Sequence, residues 1–226
     1  MRPARTSRLI SVVPKCPLCH AARPRSVESG DGKGYFACRV CHLIYLTPSR
    51  RLSAADERAR YELHNNDRGD PNYVLFLRRL ADPLVERLRP GARGLDFGCG
   101  PTPVLSEMLA AAGFPCAAYD PFFAPDETLL DKRYDFITCS EVVEHAHDPA
   151  RMFATLRRML APGGMLGVMT MFYPGEDAFA DWWYRRDPTH VCFYAEATMR
   201  WIGEWHGWKA EFPRPNVTLF SVAARP

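Results

Sequence analysis

The larger part of the chain alternates short apolar runs with stretches of helical periodicity. The apolar runs predict a strand that begins the segment 94–105, a second short run at 115–120 that ends in an acid, and further strands at 134–140 and 165–170. Helices are predicted at 104–112, ended by Gly113, and at 148–160, where Asp148 and Pro149 form an N-cap and a first-turn proline. This alternation of strands and helices indicates an α/β protein.

Weaker patterns flank this region. One helical face before the first strand is formed by Val74, Leu77, Leu80 and Leu84. Pro83 is expected to break or restart that helix. Residues 49–60 are polar and of mixed charge, which is typical of a linker. A last helix is predicted around Met199–Trp205, and residues 208–212 and 217–222 alternate as a final antiparallel strand pair.

The segment Gly94–Leu105 predicts a buried strand that turns sharply into a helix. Gly98 and Gly100 in that turn let the backbone approach a ligand closely, because no Cβ stands in the way. Asp120 ends the second apolar run 24 residues after Asp96, at the position where a nucleotide-binding fold holds the ribose hydroxyls. The alternative is that the glycines serve only the geometry of a tight turn.

Near the N-terminus, four cysteines form two CxxC pairs with 18 residues between them: Cys16, Cys19, Cys38 and Cys41. This is the spacing of a tetrahedral four-thiolate zinc site, and the segment between the pairs suits a hairpin. A module of about forty residues has too little core to fold without such a staple. His20 and His42 follow the pairs, so the haem-attachment pattern also occurs. Covalent haem and disulfides both suit exported chains, and zinc is therefore expected.

Length, composition and charge limit the number of domains, the cellular location and the kinds of partner. The chain has 226 residues, enough for one domain of about 150 residues and a small appendage. No apolar run approaches the ~20 residues that span a bilayer, and the first residues lack the apolar region of a signal peptide. A cytoplasmic protein without a membrane partner is expected. Residues 1–60 hold 12 Lys and Arg against 4 Asp and Glu, which favours either a contact surface for an anionic partner or a solvated arm.

Two histidines are candidate general bases. Residues 172–194 are rich in aromatic and polar side chains, which predicts a wall that excludes water and stacks on a planar or apolar acceptor. His190 lies in this segment, and an imidazole suits proton removal near neutral pH. His145 follows the third strand, and helical spacing would place it on one side with Glu141 and Glu144. The structural alternatives are packing against tryptophan for His190 and helix capping for the two acids.

These residues, in this order, resemble the class I S-adenosylmethionine-dependent methyltransferases. The resemblance covers about residues 70–226 and is carried by Leu95–Gly100, Asp120, Asp135–Ile137, Glu144-His145 and Leu160–Gly164. It implies a Rossmann-like sheet with an antiparallel last strand, and adenosylmethionine as the cofactor. Thr102 departs from the family pattern at the third small position. The short distance from Asp120 to Asp135 leaves little room for a third strand.

The resemblance also implies roles for individual residues. The glycine turn would approach the amino-acid part of the cofactor, Asp96 would orient it, and residues 139–142 would flank the sulfonium or the adenosine. In such enzymes the segment before the first strand commonly forms a lid, which adds Tyr61, His64 and Tyr73. Some quinone-pathway O-methyltransferases carry a similar Glu-x-x-Glu-His that is associated with a divalent ion. The candidate cofactor residues are Asp96, Gly98, Gly100, Asp120, Cys139, Glu141 and Tyr61.

We therefore predict a zinc ribbon with a basic arm at 1–48 and a methyltransferase domain at 49–226. Within the latter, 49–90 form a linker and helical lid, and 91–226 form the Rossmann-like core. The favoured function is in-line methyl transfer to an oxygen, nitrogen or carbon atom of a small molecule. Alternatives are an RNA or protein methyltransferase that uses the ribbon to bind its acceptor, a non-catalytic ribbon protein, and a dehydrogenase. The Asn/Asp-Pro-Pro-Tyr/Phe signature of nucleic-acid amino-methylating enzymes is absent at 140–143. The oligomeric state is left open.

Overall fold

The computed structural model describes residues 13–63 and 67–223. The arm at residues 1–12 and the candidate contact His64 lie outside the described residues. The strands are β1 (Arg25–Val27), β2 (Tyr35–Ala37), β3 (Ile44–Leu46), β4 (Gly94–Phe97), β5 (Cys116–Tyr119), β6 (Tyr134–Ser140), β7 (Leu160–Met169), β8 (Cys192–Phe193), β9 (Trp208–Arg214) and β10 (Val217–Val222). The α-helices are α1 (Ala54–Tyr61), α2 (Pro71–Val85), α3 (Val104–Ala111), α4 (Pro149–Met159), α5 (Glu176–Phe179) and α6 (Glu196–His206).

Six strands form the central sheet in the order β5-β4-β6-β7-β10-β9. The first four are parallel, whereas β10 runs antiparallel to both of its neighbours. The predicted α/β fold with a Rossmann-like sheet and an antiparallel last strand is therefore confirmed. Between β5 and β6 the described chain forms a short 3-10 helix, Glu127–Asp131, and no further strand. This agrees with the short spacing from Asp120 to Asp135.

Helices cover both faces of the central sheet. On one face α2 buries Leu77, Leu80 and Leu84 beside α3, while α4 buries Phe153 on the other. The predicted break at Pro83 is wrong, because α2 continues through it to residue 85. The proline lies in the last turn, where its missing N–H removes only one of the final helical hydrogen bonds, and its ring is buried in the core.

The polar stretch at 49–60 holds a helix in its second half, where the sequence indicated a linker. Ser53 caps α1 by accepting a hydrogen bond from the backbone N–H of Asp56. Acidic residues in the first turn and arginines in the last turn complement the helix dipole. Glu57 is the buried residue of this helix, so α1 packs against the core through a charged side chain.

The N-terminal module forms three strands of a second, four-stranded sheet with the order β1-β2-β3-β8. Strands β1, β2 and β3 are antiparallel and follow one another along the chain. The fourth strand comes from the second half of the chain: β8 pairs with β3, with Ile44 opposite Phe193. The core is continuous across this junction, since the ring of Tyr35 contacts Phe179 and Phe193 edge-on at 5.1 and 5.8 Å. The N-terminal module therefore shares a sheet and a core with the rest of the protein.

Candidate active site

A cavity of about 710 Å³ opens at the carboxyl ends of β4, β5 and β6. Its wall brings together nine of the residues singled out from the sequence: Tyr61, Tyr73, Asp96, Gly98, Gly100, Asp120, Glu141, His145 and His190. Cys139 is not in the wall; its side chain is fully buried in β6, and Ser140 lines the cavity in its place. Successive side chains of a strand point to opposite faces, so only one of these two neighbours can face the cavity.

The turn after β4 forms the floor of the cavity. Gly98 and Gly100 both adopt left-handed backbone conformations, with φ of 80° and 68°, which glycine tolerates best. A Cβ on Gly98 would lie 2.5 Å from a methyl group of Val142, so the close approach of the two loops also requires glycine. The carboxylate of Asp120 accepts a hydrogen bond from the backbone N–H of Gly100 at 3.1 Å. It also accepts the N–H groups of Phe122 and Phe123 at 2.8 and 3.1 Å.

Asp96 lies beneath this turn and is almost completely buried. Its carboxyl oxygen accepts a hydrogen bond from the hydroxyl of Thr138 at 2.8 Å. Burial raises the pKa of Asp96 to about 7, despite that hydrogen bond. The residue therefore changes its charge near neutral pH in the cofactor-free protein.

Glu141, Glu144 and His145 do not share one helix. Glu141 has a left-handed backbone with φ of 53°, and only residues 143–145 form a 3-10 turn. The carboxyl groups of Glu141 and Glu144 nevertheless meet, because both lie within hydrogen-bond distance of the hydroxyl of Tyr184. Burial and the neighbouring Glu144 raise the pKa of Glu141 to about 9, and burial also raises that of Glu144. Sequence reasoning gave Tyr184 no individual role, and its place in the aromatic segment was the only signal available.

The two candidate bases lie side by side, with ring centroids 4.7 Å apart. The Nδ1 atom of His190 lies 2.7 Å from the backbone oxygen of Tyr184, and that of His145 lies 3.2 Å from the backbone oxygen of Thr189. A carbonyl oxygen can only accept, so both Nδ1 atoms carry a proton, and in the neutral form of each ring the lone pair lies on Nε2. Burial lowers the pKa of His190, although the charge of Glu144 acts in the opposite direction. His190 is therefore the neutral, proton-accepting form at neutral pH.

The charge of the cavity wall is one-sided. Four of the residues that line it carry a carboxyl group: Glu57, Asp96, Asp120 and Glu141, of which Glu141 is protonated at neutral pH because its pKa is raised. Among the described residues, none that lines it is Lys or Arg. The wall thus favours a cationic ligand over an anionic one.

Comparison with known proteins identifies the fold and the chemistry. Residues 72–211 match the family described as "Methyltransferase domain". The chain belongs to this family. The predicted class I adenosylmethionine-dependent methyltransferase is thereby confirmed, and the sheet and the glycine turn described above belong to such an enzyme.

This methyltransferase is similar in sequence to curated methyltransferases and similar in fold to solved ones. The ubiquinone biosynthesis O-methyltransferase of Caulobacter sp. (strain K31) is 33% identical over 164 residues, which cover 60% of this chain and 59% of that protein. The match thus spans less than two-thirds of that relative. A SAM-dependent methyltransferase from Archaeoglobus fulgidus has a TM-score of 0.50 at 19% identity, covering 68% of this chain and 95% of that one. The 1,6-didemethyltoxoflavin-N1-methyltransferase of Burkholderia thailandensis has a TM-score of 0.51 at 14% identity, covering 89% and 100%.

The methyltransferase also carries the predicted cysteine cluster. The Sγ atoms of Cys16, Cys19, Cys38 and Cys41 lie within 4.8 Å of one another, and all four cysteines are free thiols. The backbone N–H groups of His20 and His42 donate to the carbonyls of Cys16 and Cys38, which closes one tight knuckle after each pair. Four converging thiols in two knuckles fit a tetrahedral zinc ion.

Within the described residues, one further group of three potential metal-binding side chains exists: Glu144, His145 and His190. Its members line or underlie the methyltransferase cavity. The same part of the chain contains no helix that is long and apolar enough to cross a membrane.

Proposed function

We propose that the methyltransferase holds adenosylmethionine over the glycine turn and transfers its methyl group to an uncharged small molecule bound beside His190 and His145. The observation that carries this proposal is the single cavity wall that combines the glycine turn, four carboxyl groups and two imidazoles whose Nδ1 atoms donate to backbone oxygens. When bound, the cofactor supplies a methyl group that is already activated on a sulfonium. The protein then has to position two molecules and exclude water.

On the cofactor side, the backbone at Gly98 and Gly100 would receive the amino-acid part, and Asp96 would orient it. Asp120 would hold the ribose. Its carboxylate already accepts three backbone N–H groups, and a carboxylate has about four acceptor positions, so capacity remains for a hydroxyl. Glu141 and Tyr61 would flank the sulfonium and the adenosine, and the acidic wall offsets the positive charge of the cofactor.

On the acceptor side, His190 is our choice for the general base, with His145 as the alternative. The Nε2 atom of His190 would accept the hydroxyl proton of an acceptor, and the acceptor oxygen would bond to the methyl group while the sulfur–methyl bond breaks and a neutral thioether leaves. The imidazolium that forms would be stabilised by the charge of the buried Glu144 nearby. We expect His190→Gln to reduce transfer to a hydroxyl on the order of a hundredfold or more while cofactor binding is retained.

The acceptor class follows from the rest of the wall. Aromatic and apolar side chains line the same cavity as the two histidines, among them Tyr61, Phe122 and Met152. Since no cation faces this space among the described residues, a carboxylate or phosphate on the acceptor would be left unpaired. A planar, uncharged hydroxyl compound fits best, and the likeness to a ubiquinone biosynthesis O-methyltransferase supports oxygen as the methylated atom.

The cysteine cluster is proposed to bind one zinc ion through Cys16, Cys19, Cys38 and Cys41. In that role the metal would stabilise the small sheet, since a closed four-thiolate site leaves no open position for chemistry. An RNA or protein acceptor held by the ribbon is the second candidate, favoured by the excess of Lys and Arg in residues 1–60.

One screen tests these proposals. Calorimetric titration with adenosylmethionine and, in parallel, with NADH establishes the cofactor. Radiolabelled methyl transfer is then measured with uncharged phenols, matched benzoates, primary amines and RNA. We expect binding of adenosylmethionine alone and transfer to the phenols. Transfer only to benzoates or RNA would overturn the acceptor class, and failure to bind adenosylmethionine would overturn the enzyme and leave a ribbon protein without catalysis.

A further inference from the structure

The aromatic segment at residues 172–194, which carries His190, packs against the N-terminal module formed by β1, β2 and β3. Along its length, the hydroxyl of Tyr173 donates to the backbone oxygen of His42 at 2.8 Å, and β8 completes the small sheet. Val191, the residue after the histidine, donates its N–H to the backbone oxygen of Glu144 and accepts the N–H of Leu46, both at 2.9 Å. The backbone next to His190 is therefore held between the module and the loop after β6.

A buried cation, Arg185, also connects the two parts. Its side chain is only 7% exposed. The guanidinium donates to the carboxylate of Asp31 at 2.6 Å and to the backbone oxygen of Ser29 at 2.7 Å, both in the module. It also donates to the backbone oxygen of Ala180 and lies against the ring of Tyr35 at 5.8 Å. Arg185 therefore joins residues 172–194 to the module through one charge-assisted hydrogen bond to Asp31, whose side chain is 32% exposed, and through a second hydrogen bond to the backbone of Ser29.

Asp31 is suited to this contact. Burial acts to raise the pKa of Asp31, but hydrogen bonds from Ser29 and Arg185 outweigh it and hold the pKa at about 2. The carboxylate is therefore charged at neutral pH. Removing it would leave a buried guanidinium without a charged partner, and the loop around Arg185 would have to rearrange to reach water.

The residue before Arg185 connects this ion pair to the active site. Tyr184 places its hydroxyl between the carboxyl groups of Glu141 and Glu144. Its backbone oxygen accepts the Nδ1 proton of His190, and the two rings are 4.1 Å apart. A shift of the backbone at 184 and 185 would therefore move the group that fixes the tautomer of His190.

From this chain of contacts we propose that Asp31 and Arg185 are positioning residues for methyl transfer. The N-terminal module, through them, fixes the orientation and tautomer of His190. The inference rests on the proposed role of His190 as a base, and it gives the module a part mainly in the acceptor half of the site. None of these contacts involves the glycine turn or Asp120. Tyr184 also donates to Glu141 on the cofactor side, so we expect a small effect on cofactor binding and a large one on turnover.

The test compares Asp31→Asn with two matched variants in the full chain. Asp31→Glu keeps the charge, and Asp181→Asn makes the same substitution at an exposed position of the wall. Nitrogen-15 spectra of the histidine rings report the tautomer of His190, calorimetry reports the affinity for adenosylmethionine, and methyl transfer to the phenol found in the screen reports turnover.

We expect the wild type, Asp31→Glu and Asp181→Asn to show His190 protonated on Nδ1. Asp31→Asn should lose that signature and lose kcat on the order of tenfold to a hundredfold, with cofactor affinity within about twofold. An unchanged His190 signal in Asp31→Asn overturns the inference. Loss of cofactor binding together with the signal also overturns it, because the ion pair then supports the whole fold. A wild type that does not bind adenosylmethionine is a separate outcome, which refutes the proposed function instead.

Discussion

The close approach of two loops beneath the cavity gives a sharp prediction for Gly98→Ala. Gly98 has φ of 80°, and its added Cβ would lie 2.5 and 2.9 Å from the two methyl groups of Val142. The substitution therefore imposes two separate penalties: a left-handed backbone for a residue with a side chain, and an overlap with a branched neighbour. Gly113 allows the two penalties to be measured separately. It has φ of 91° but nothing within 4 Å of an added Cβ, so Gly113→Ala carries the backbone penalty alone.

The two penalties have known sizes. A left-handed conformation costs a residue with a side chain about 1–2 kcal/mol. Forcing a methyl group into a packed site costs about 1–3 kcal/mol more. Gly113→Ala should thus lower the free energy of unfolding by about 1–2 kcal/mol, and Gly98→Ala by about 2–5 kcal/mol. Val142 lines the cavity, so its displacement in Gly98→Ala should also weaken adenosylmethionine binding.

The assay is urea unfolding of the cofactor-free protein, followed by calorimetry with the cofactor. The double variant Gly98→Ala/Val142→Ala removes the overlap and should recover stability relative to Gly98→Ala. If Gly98→Ala and Gly113→Ala lose the same free energy, then contact with Val142 does not exclude a side chain at Gly98 and this reasoning is refuted.

Three further predictions address the cofactor, the buried acid and the metal. Asp120→Ala should abolish most affinity for adenosylmethionine in calorimetry while metal analysis finds the zinc content unchanged; normal binding would refute the ribose assignment. The raised pKa of Asp96, about 7, means that its stabilising contribution is complete below about pH 4 and is lost as pH rises through 7. Asn cannot ionise, so the free energy of unfolding of Asp96→Asn should rise relative to that of the wild type between pH 4 and 8, by up to about 4 kcal/mol. A difference between the two proteins that stays constant with pH would contradict this. Cys41→Ser should lose the stoichiometric zinc that Cys116→Ser, outside the cluster, retains; zinc that persists in Cys41→Ser would place the metal elsewhere.

The central sheet was readable from the sequence because its determinants are local. Each strand of the parallel core is a short apolar run, and the glycines after β4 mark a turn whose backbone needs them. The cysteine cluster was equally readable, since two CxxC pairs specify a four-thiolate arrangement by spacing alone. Most of the candidate cavity residues could therefore be named before the fold was known.

What the sequence did not reveal depends on partners far away in the chain. Strand β8 is two residues long and is defined by pairing with β3, so no local pattern marks it. The hydroxyl of Tyr184 acquires its role because the fold brings Glu141 and Glu144 to it. Helix α1 escaped notice because it has charges and a cap but no apolar stripe, and helical periodicity is read from such a stripe.

The pairing of β8 with β3 has a consequence for the order in which the protein forms. During synthesis, β3 leaves the ribosome while almost the whole parallel sheet is still untranslated, so one edge of the N-terminal hairpins waits without its neighbour. Pairing of β3 with β8 closes a long loop of chain, and the conformational entropy lost in that closure opposes the pairing. We therefore expect the small sheet to be completed late during refolding, after the strands of the parallel sheet have paired.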